Sequence, residues 1–150
     1  MFNVLFVCHG NICRSAMAEY MFKDFVKKKN NPNIHIESRA TSTEELGNPV
    51  YPNAKRLLNE HNIDCNGHHA KRITLSDYDK FDIIIGFDYE NIRNLERMFN
   101  TKEKIYYLTD FSNKYKNMEI DDPWYTRDFK KTFDEISDSL EGLYNYIITI

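Results

Sequence analysis

Apolar residues run almost unbroken through Phe2-Asn3-Val4-Leu5-Phe6-Val7, the pattern of a strand buried on both faces. From Ser15 to Lys29 the spacing changes. Ala18, Met21, Phe22 and Phe25 recur at helical intervals, and Lys27-Lys28-Lys29 suits the negative end of a helix dipole. Asn31-Pro32-Asn33 breaks that helix, and Ile34 and Ile36 alternating with His35 and Glu37 predict a second strand. Thr41 to Val50 reads as a loop. Pro52 then opens a helix reaching about Asn62, with Ala54, Leu57 and Leu58 facing inward, and Cys65-Asn66-Gly67 ends the unit. Phe81 to Gly86 predicts a third buried strand, and Asp88 can cap a helix holding Ile92, Leu95 and Met98. Ile105 to Leu108 supplies a fourth strand; Phe129, Phe133, Ile136, Leu140, Leu143 and Ile147 form a closing helix. No internal repeat or low-complexity tract interrupts the alternation.

Strands alternating with helices imply an α/β fold with a parallel sheet covered on both faces, and a site beyond the carboxyl ends of the strands. Cys8 lies at such an end. A length of 150 residues fits a single domain over 1–150, and 41% hydrophobic with 29% charged residues gives both a core and solubility. The formal charge of −3 offers no basic field for nucleic acid. No apolar run reaches membrane-spanning length and no basic-then-apolar leader opens the chain, so a cytoplasmic protein is expected. Cys8, Cys13 and Cys65 are an odd number outside any small secreted framework, which favours reduced thiols and brings catalytic use into view.

The chemistry concentrates in Cys8-His9-Gly10-Asn11-Ile12-Cys13-Arg14-Ser15, a phosphate-binding loop between the first strand and the first helix. A Cys and an Arg at this spacing are weak evidence alone; their context carries the inference. A helix N-terminus leaves backbone N–H groups without partners, and a loop curling into it can aim more of them at a tetrahedral dianion. Arg14 adds a planar fork of donors for two phosphate oxygens. The same donors favour a nucleophilic thiolate at Cys8. Gly10 permits close approach, Asn11 tolerates a left-handed backbone, and the Ser15 hydroxyl can serve the sulfur both as attacker and as leaving group.

Val4 to Glu19 resembles the signature segment of the low-molecular-weight protein tyrosine phosphatases, and Asp122-Pro123-Trp124-Tyr125 resembles a second element of that family. The resemblance spans the whole chain. It implies a four-stranded parallel sheet flanked by helices, and hydrolysis of phosphotyrosine in proteins and of small aryl phosphates through a phosphocysteine, with acid phosphatase activity. Cys8 is then the nucleophile, Arg14 the phosphate clamp, Ser15 the support of the thiolate, and Asp122 the general acid and base. His9, Gly10, Asn11, Ile12 and Cys13 fall in the substrate-binding loop, and Trp124 and Tyr125 match the aromatic pair lining the cleft. Asn11, Ser38 and His68 match the residues that brace the loop. Phosphate, sulfate or vanadate is expected in the loop and tyrosine-phosphorylated proteins as partners, with no metal, no cofactor and a monomeric state. Asp88-Tyr89-Glu90-Asn91 resembles a further family segment; a plain helix cap accounts for Asp88 equally well.

Some positions depart from the family pattern. His9 stands where an apolar residue is usual, Ala16 where proline is common, Glu44-Glu45-Leu46 where a tryptophan often sits at the rim, and Thr126 where glycine is frequent. Three assignments stay open among the residues themselves. Asp121 competes with Asp122 as the acid. Cys13 is either a loop-lining thiol or a redox partner that forms a disulfide with Cys8. Trp124 and Tyr125 either wall the substrate or pack under a loop. Competing functions are a thiol-linked arsenate reductase, which needs two cysteines beyond the loop where only Cys65 remains; a protein arginine phosphatase, in which threonine replaces the isoleucine at position 12; and a phosphoprotein-binding module lacking nucleophile and acid.

Overall fold

The computed structural model describes residues Met1–Ile150. Four parallel strands, β1 (Phe2–Cys8), β2 (Ile34–Ala40), β3 (Ile83–Gly86) and β4 (Ile105–Tyr107), lie in the order β2-β1-β3-β4. Central β1 carries the chemistry to the carboxyl edge of the sheet, with Val4 between Ile36 on one side and Ile83 on the other. Its side chains alternate between two cores: Val4, Phe6 and Cys8 join one, Leu5 and Val7 the other. Burial on both faces explains the near-continuous apolar run in the sequence.

The larger core lies under α1 (Arg14–Lys28), α2 (Pro52–Glu60) and the long α6 (Phe129–Thr149). The smaller one lies under α4 (Tyr89–Phe99), where Ile92 and Leu95 meet Leu5, Val7 and Ile84. Two single-turn helices escaped the sequence reading, α3 (Asp77–Lys80) and α5 (Pro123–Thr126), as did a 3-10 turn over Leu108–Phe111. These three elements, each four residues long, are too short to show a 3.6-residue period. They also move boundaries. Phe81 closes α3 with its N–H on the Asp77 carbonyl rather than starting β3, and Leu108 opens the turn rather than ending β4. The helix expected to reach Asn62 stops at Glu60, because Asn62 turns left-handed.

Asn30 and Asn100 have positive φ just after α1 and α4 in the same way, so asparagine takes the place glycine usually fills at a helix end. Glycine is spent elsewhere. A β-carbon on Gly142 would fall 1.7 Å from the Phe111 carbonyl oxygen, so α6 packs directly on the 3-10 turn there. Helix propensity alone favours Gly142→Ala by about 1 kcal/mol, but overpacking against backbone costs about 1–3 kcal/mol or more. The variant is therefore expected to unfold at a lower urea concentration than the parent; an unchanged or higher midpoint would show that α6 can slide off the turn.

Candidate active site

Cys8 ends β1 on the face that looks toward α1, and it is buried. The loop after it turns at Asn11, whose φ of 61° lies in the left-handed region. The Asn11 side chain fixes the direction of the hydrogen bonds beneath the loop. Its Oδ1 accepts from the Lys71 backbone N–H at 3.1 Å; a backbone amide can only donate, so the oxygen faces Lys71 and the amide nitrogen faces the other way. Nδ2 then donates to Ser15 Oγ at 2.9 Å and to Ser38 Oγ at 2.8 Å. Ser38 Oγ in turn donates to Glu19 Oε1 at 2.5 Å, and the other Glu19 oxygen meets Lys23. Ser15, having accepted from Asn11, directs its proton to Cys8 Sγ at 3.0 Å; the competing Arg39 carbonyl is 3.5 Å away. The Ser15 backbone N–H also points at the sulfur, at 3.4 Å. Two donors thus converge on Cys8.

His68 braces the same turn from below. Its Nε2 donates to the Asn11 carbonyl at 2.8 Å, which leaves Nδ1 to accept from the Tyr20 hydroxyl at 3.2 Å. A neutral ring has one donor and one acceptor and fits this pattern, and burial pushes the His68 pKa down, in the same sense.

Arg14 is the first residue of α1 and is almost wholly buried. Burial works against its charge, but Cys8 and Asp88 outweigh it and hold the guanidinium pKa above its ordinary value. Nη1 donates to Asp88 Oδ2 at 2.7 Å and to the Ile120 carbonyl at 2.9 Å. Nη2 stands 3.6 Å from Asp122 Oδ2. Asp122 caps α5, its Oδ1 accepting from the Trp124 N–H at 2.9 Å, and this leaves Oδ2 turned toward Arg14. Asp121 turns away, exposed and 3.7 Å from Lys131.

Cys8, His9, Gly10, Ile12, Cys13, Arg14, Asp122, Trp124 and Tyr125 line one pocket together with Glu44 and Glu45. Asn11, Ser15, Ser38 and His68 lie buried beneath it. His9 Nε2 meets Glu44 Oε2 at 2.6 Å across the rim, so the two departures from the family pattern at this edge are partners. Cys13 is free and buried like Cys8, and burial, with the negative charges of Cys8 and Asp122 adding to it, pushes the Cys13 thiol well up. No group of three or more His, Cys, Asp and Glu side chains is placed to hold a metal ion.

The family profile described as low molecular weight phosphotyrosine protein phosphatase matches residues 3–148. The chain belongs to that family. A low molecular weight protein-tyrosine-phosphatase, PtpA, from Staphylococcus aureus strain MRSA252 is 35% identical over 149 residues, covering 99% of this chain and 95% of the relative. The crystal structure of YfkJ from Bacillus subtilis superposes with a TM-score of 0.95 at 35% identity, covering 99% of this chain and 96% of the other. A drosophila arginine phosphatase, DARP, superposes with a TM-score of 0.90 at 28% identity, covering 96% of both chains. The four-stranded all-parallel sheet with flanking helices is the architecture expected from the sequence. No helix of this phosphatase is long and apolar enough to cross a membrane.

Several contacts around the site of the phosphatase went unread in the sequence. Asp88 does two things at once, capping α4 through Oδ1 on the Asn91 N–H and orienting Arg14 through Oδ2. Glu19 anchors the far end of the bracing network, and a carboxylate on the buried face of α1, four residues after Ser15, was a signal that went unused. Tyr51 ties the loop from another side, its N–H on the Ile12 carbonyl at 2.9 Å.

Proposed function

We propose that this chain hydrolyses phosphotyrosine in cytoplasmic proteins, and small aryl phosphates with it, through a phosphocysteine. Cys8 Sγ attacks phosphorus as a thiolate, and the S–P bond forms as the bond to the phenolic oxygen breaks. Asp122 delivers its proton to that oxygen, so the phenol leaves neutral. Water then attacks the phosphocysteine and gives a proton to Asp122, the S–P bond breaks, and inorganic phosphate and the thiolate are released. Arg14 and the loop N–H groups hold the non-bridging oxygens, which is the charge stabilisation a divalent ion supplies in other phosphatases. Ser15 supports the sulfur in both steps. Ile12, Trp124 and Tyr125 form apolar walls that a tyrosine ring can lie between.

One observation carries this reading: Cys8 and Arg14 of one short loop and Asp122, more than a hundred residues further along the chain, face a single pocket whose buried floor is satisfied by Asn11, Ser38 and His68. Initial rates on phosphotyrosine, phosphoserine and phosphoarginine peptides, with arsenate reduction in parallel, test it. Phosphotyrosine is expected to be hydrolysed fastest, with the rate unchanged by a chelator. Because DARP shares the fold, a faster rate on phosphoarginine would move the activity to that substrate, and arsenate reduction without ester hydrolysis would overturn the reading.

A further inference from the structure

Arg127 follows α5 with a φ of 61°. A residue carrying a β-carbon is disfavoured there, and glycine would adopt the same backbone without steric strain. What the arginine adds is its side chain. The guanidinium lies 5.4 Å from the Tyr51 ring centre, 5.9 Å from that of Trp124 and 5.5 Å from that of Phe129. Nη1 donates to the Trp124 carbonyl at 3.3 Å and Nη2 to the Tyr51 hydroxyl at 3.0 Å. The planar, forked cation is suited to stacking and donating at once.

Tyr51 carries the connection onward. Its ring meets Trp124 edge-on at 5.0 Å and stacks on Phe129 at 5.8 Å, while its N–H holds the Ile12 carbonyl in the phosphate-binding loop. The hydrogen bonds of Asp122 stay inside α5: its carboxylate takes the Trp124 N–H, and its carbonyl takes those of Tyr125 and Thr126. The turn is therefore a small rigid unit placed by what grips it from outside. Upstream, the Ile120 N–H is bonded to the Phe87 carbonyl at 2.9 Å and the Ile120 carbonyl accepts from Arg14 Nη1 at 2.9 Å. Downstream, Arg127 grips Tyr51. The 3.6 Å contact between Asp122 and Arg14 is loose by comparison, and Arg14 is the group that must turn to phosphate.

We infer that Arg127 is a positioning residue, holding the Asp122 turn in register with the phosphate-binding loop through Tyr51. This rests on Asp122 being the proton donor, and the experiment separates the two. In kcat/KM, which covers only the steps through phosphorylation, phenyl phosphate depends on a well-placed acid and 2,4-dinitrophenyl phosphate hardly does. Arg127→Gly, which keeps the backbone conformation, is expected to cut kcat/KM about 10-fold or more for phenyl phosphate and less than about 3-fold for the activated ester. Arg127→Lys keeps a cation over the rings and is expected to recover part of the loss. Tyr51→Phe, which deletes only the hydroxyl, is expected to shift the ratio in the same direction, and it serves as the test should Arg127→Gly fold poorly. A purely structural role would lower both substrates alike. Equal losses on both esters, or none, in Arg127→Gly and Tyr51→Phe alongside a strong leaving-group effect in Asp122→Asn would overturn the inference alone. No leaving-group effect in Asp122→Asn would remove the proton donor, and the inference with it.

Discussion

Cys8→Ser is expected to lose about 10⁴-fold or more in turnover of phenyl phosphate while still binding vanadate in the loop. A serine hydroxyl is a far weaker nucleophile than a thiolate at neutral pH, because it stays protonated and no base stands beside it: Ser15 Oγ, the neighbour at 3.0 Å, is itself a hydroxyl. The cradle is otherwise untouched by the substitution. Arg14, the loop and the Asn11 network keep their places, so oxyanion binding measured by calorimetry or by competition should survive. Cys13→Ser is the control. Burial and the negative charges of Cys8 and Asp122 keep Cys13 a thiol, so it is poorly suited to attack phosphorus, and its replacement is expected to cost far less. A Cys8→Ser protein that turned over at anything near the parental rate, or a Cys13→Ser protein that lost more, would remove Cys8 from the reaction.

The second large effect belongs to Asp122→Asn. A phenol is a reluctant leaving group as its anion, and proton donation in the transition state contributes about 10²–10⁴-fold. The asparagine keeps the helix cap, since its side-chain oxygen accepts from the Trp124 N–H as the carboxylate does. What is lost is the proton that Oδ2 would carry. kcat/KM for phosphotyrosine or phenyl phosphate should therefore fall by about that factor, and for an ester of a very acidic phenol by much less. Asp121→Asn should do little, because Asp121 faces Lys131 and solvent, outside the pocket. Equal losses at 121 and 122 would mean that the turn matters and the proton does not.

The parts of the fold that could be read from the sequence were those whose cause is local and repeated. β1 is buried on both faces and reads as a continuous apolar run; α6 buries one stripe and reads at helical spacing, as does the second half of α1 with Met21, Phe22 and Val26, whereas residues 14–19 of α1 are buried all round. A four-residue helix has no stripe to show, which is why α3 and α5 were missed. Yet α5 had left a different mark: an aspartate before a proline is a helix cap followed by a first-turn residue, and that pattern alone separates Asp122 from Asp121. The loop residues 8–15 were legible because their chemistry is contiguous. Asp88 was singled out in a segment resembling a family element and as a helix cap, but its hold on Arg14 was not read, because that contact joins positions 74 residues apart and leaves no periodic trace. The same holds for Tyr51 and Arg127, whose ties exist only once α2, α5 and α6 have come together.

The hydrogen bonds below the loop have a sense of direction, and it originates far from the substrate. The Lys71 amide turns Asn11, Asn11 makes acceptors of both serine hydroxyls, and Ser15 is left with its proton for the sulfur. The network behaves like a row of one-way valves, each set by the one before. Turning the first would turn all of them: an Asn11 amide flipped end for end would claim the Ser15 proton for itself and leave Cys8 beside a lone pair. A backbone N–H on the opposite wall, incapable of accepting, is what keeps the row pointing one way.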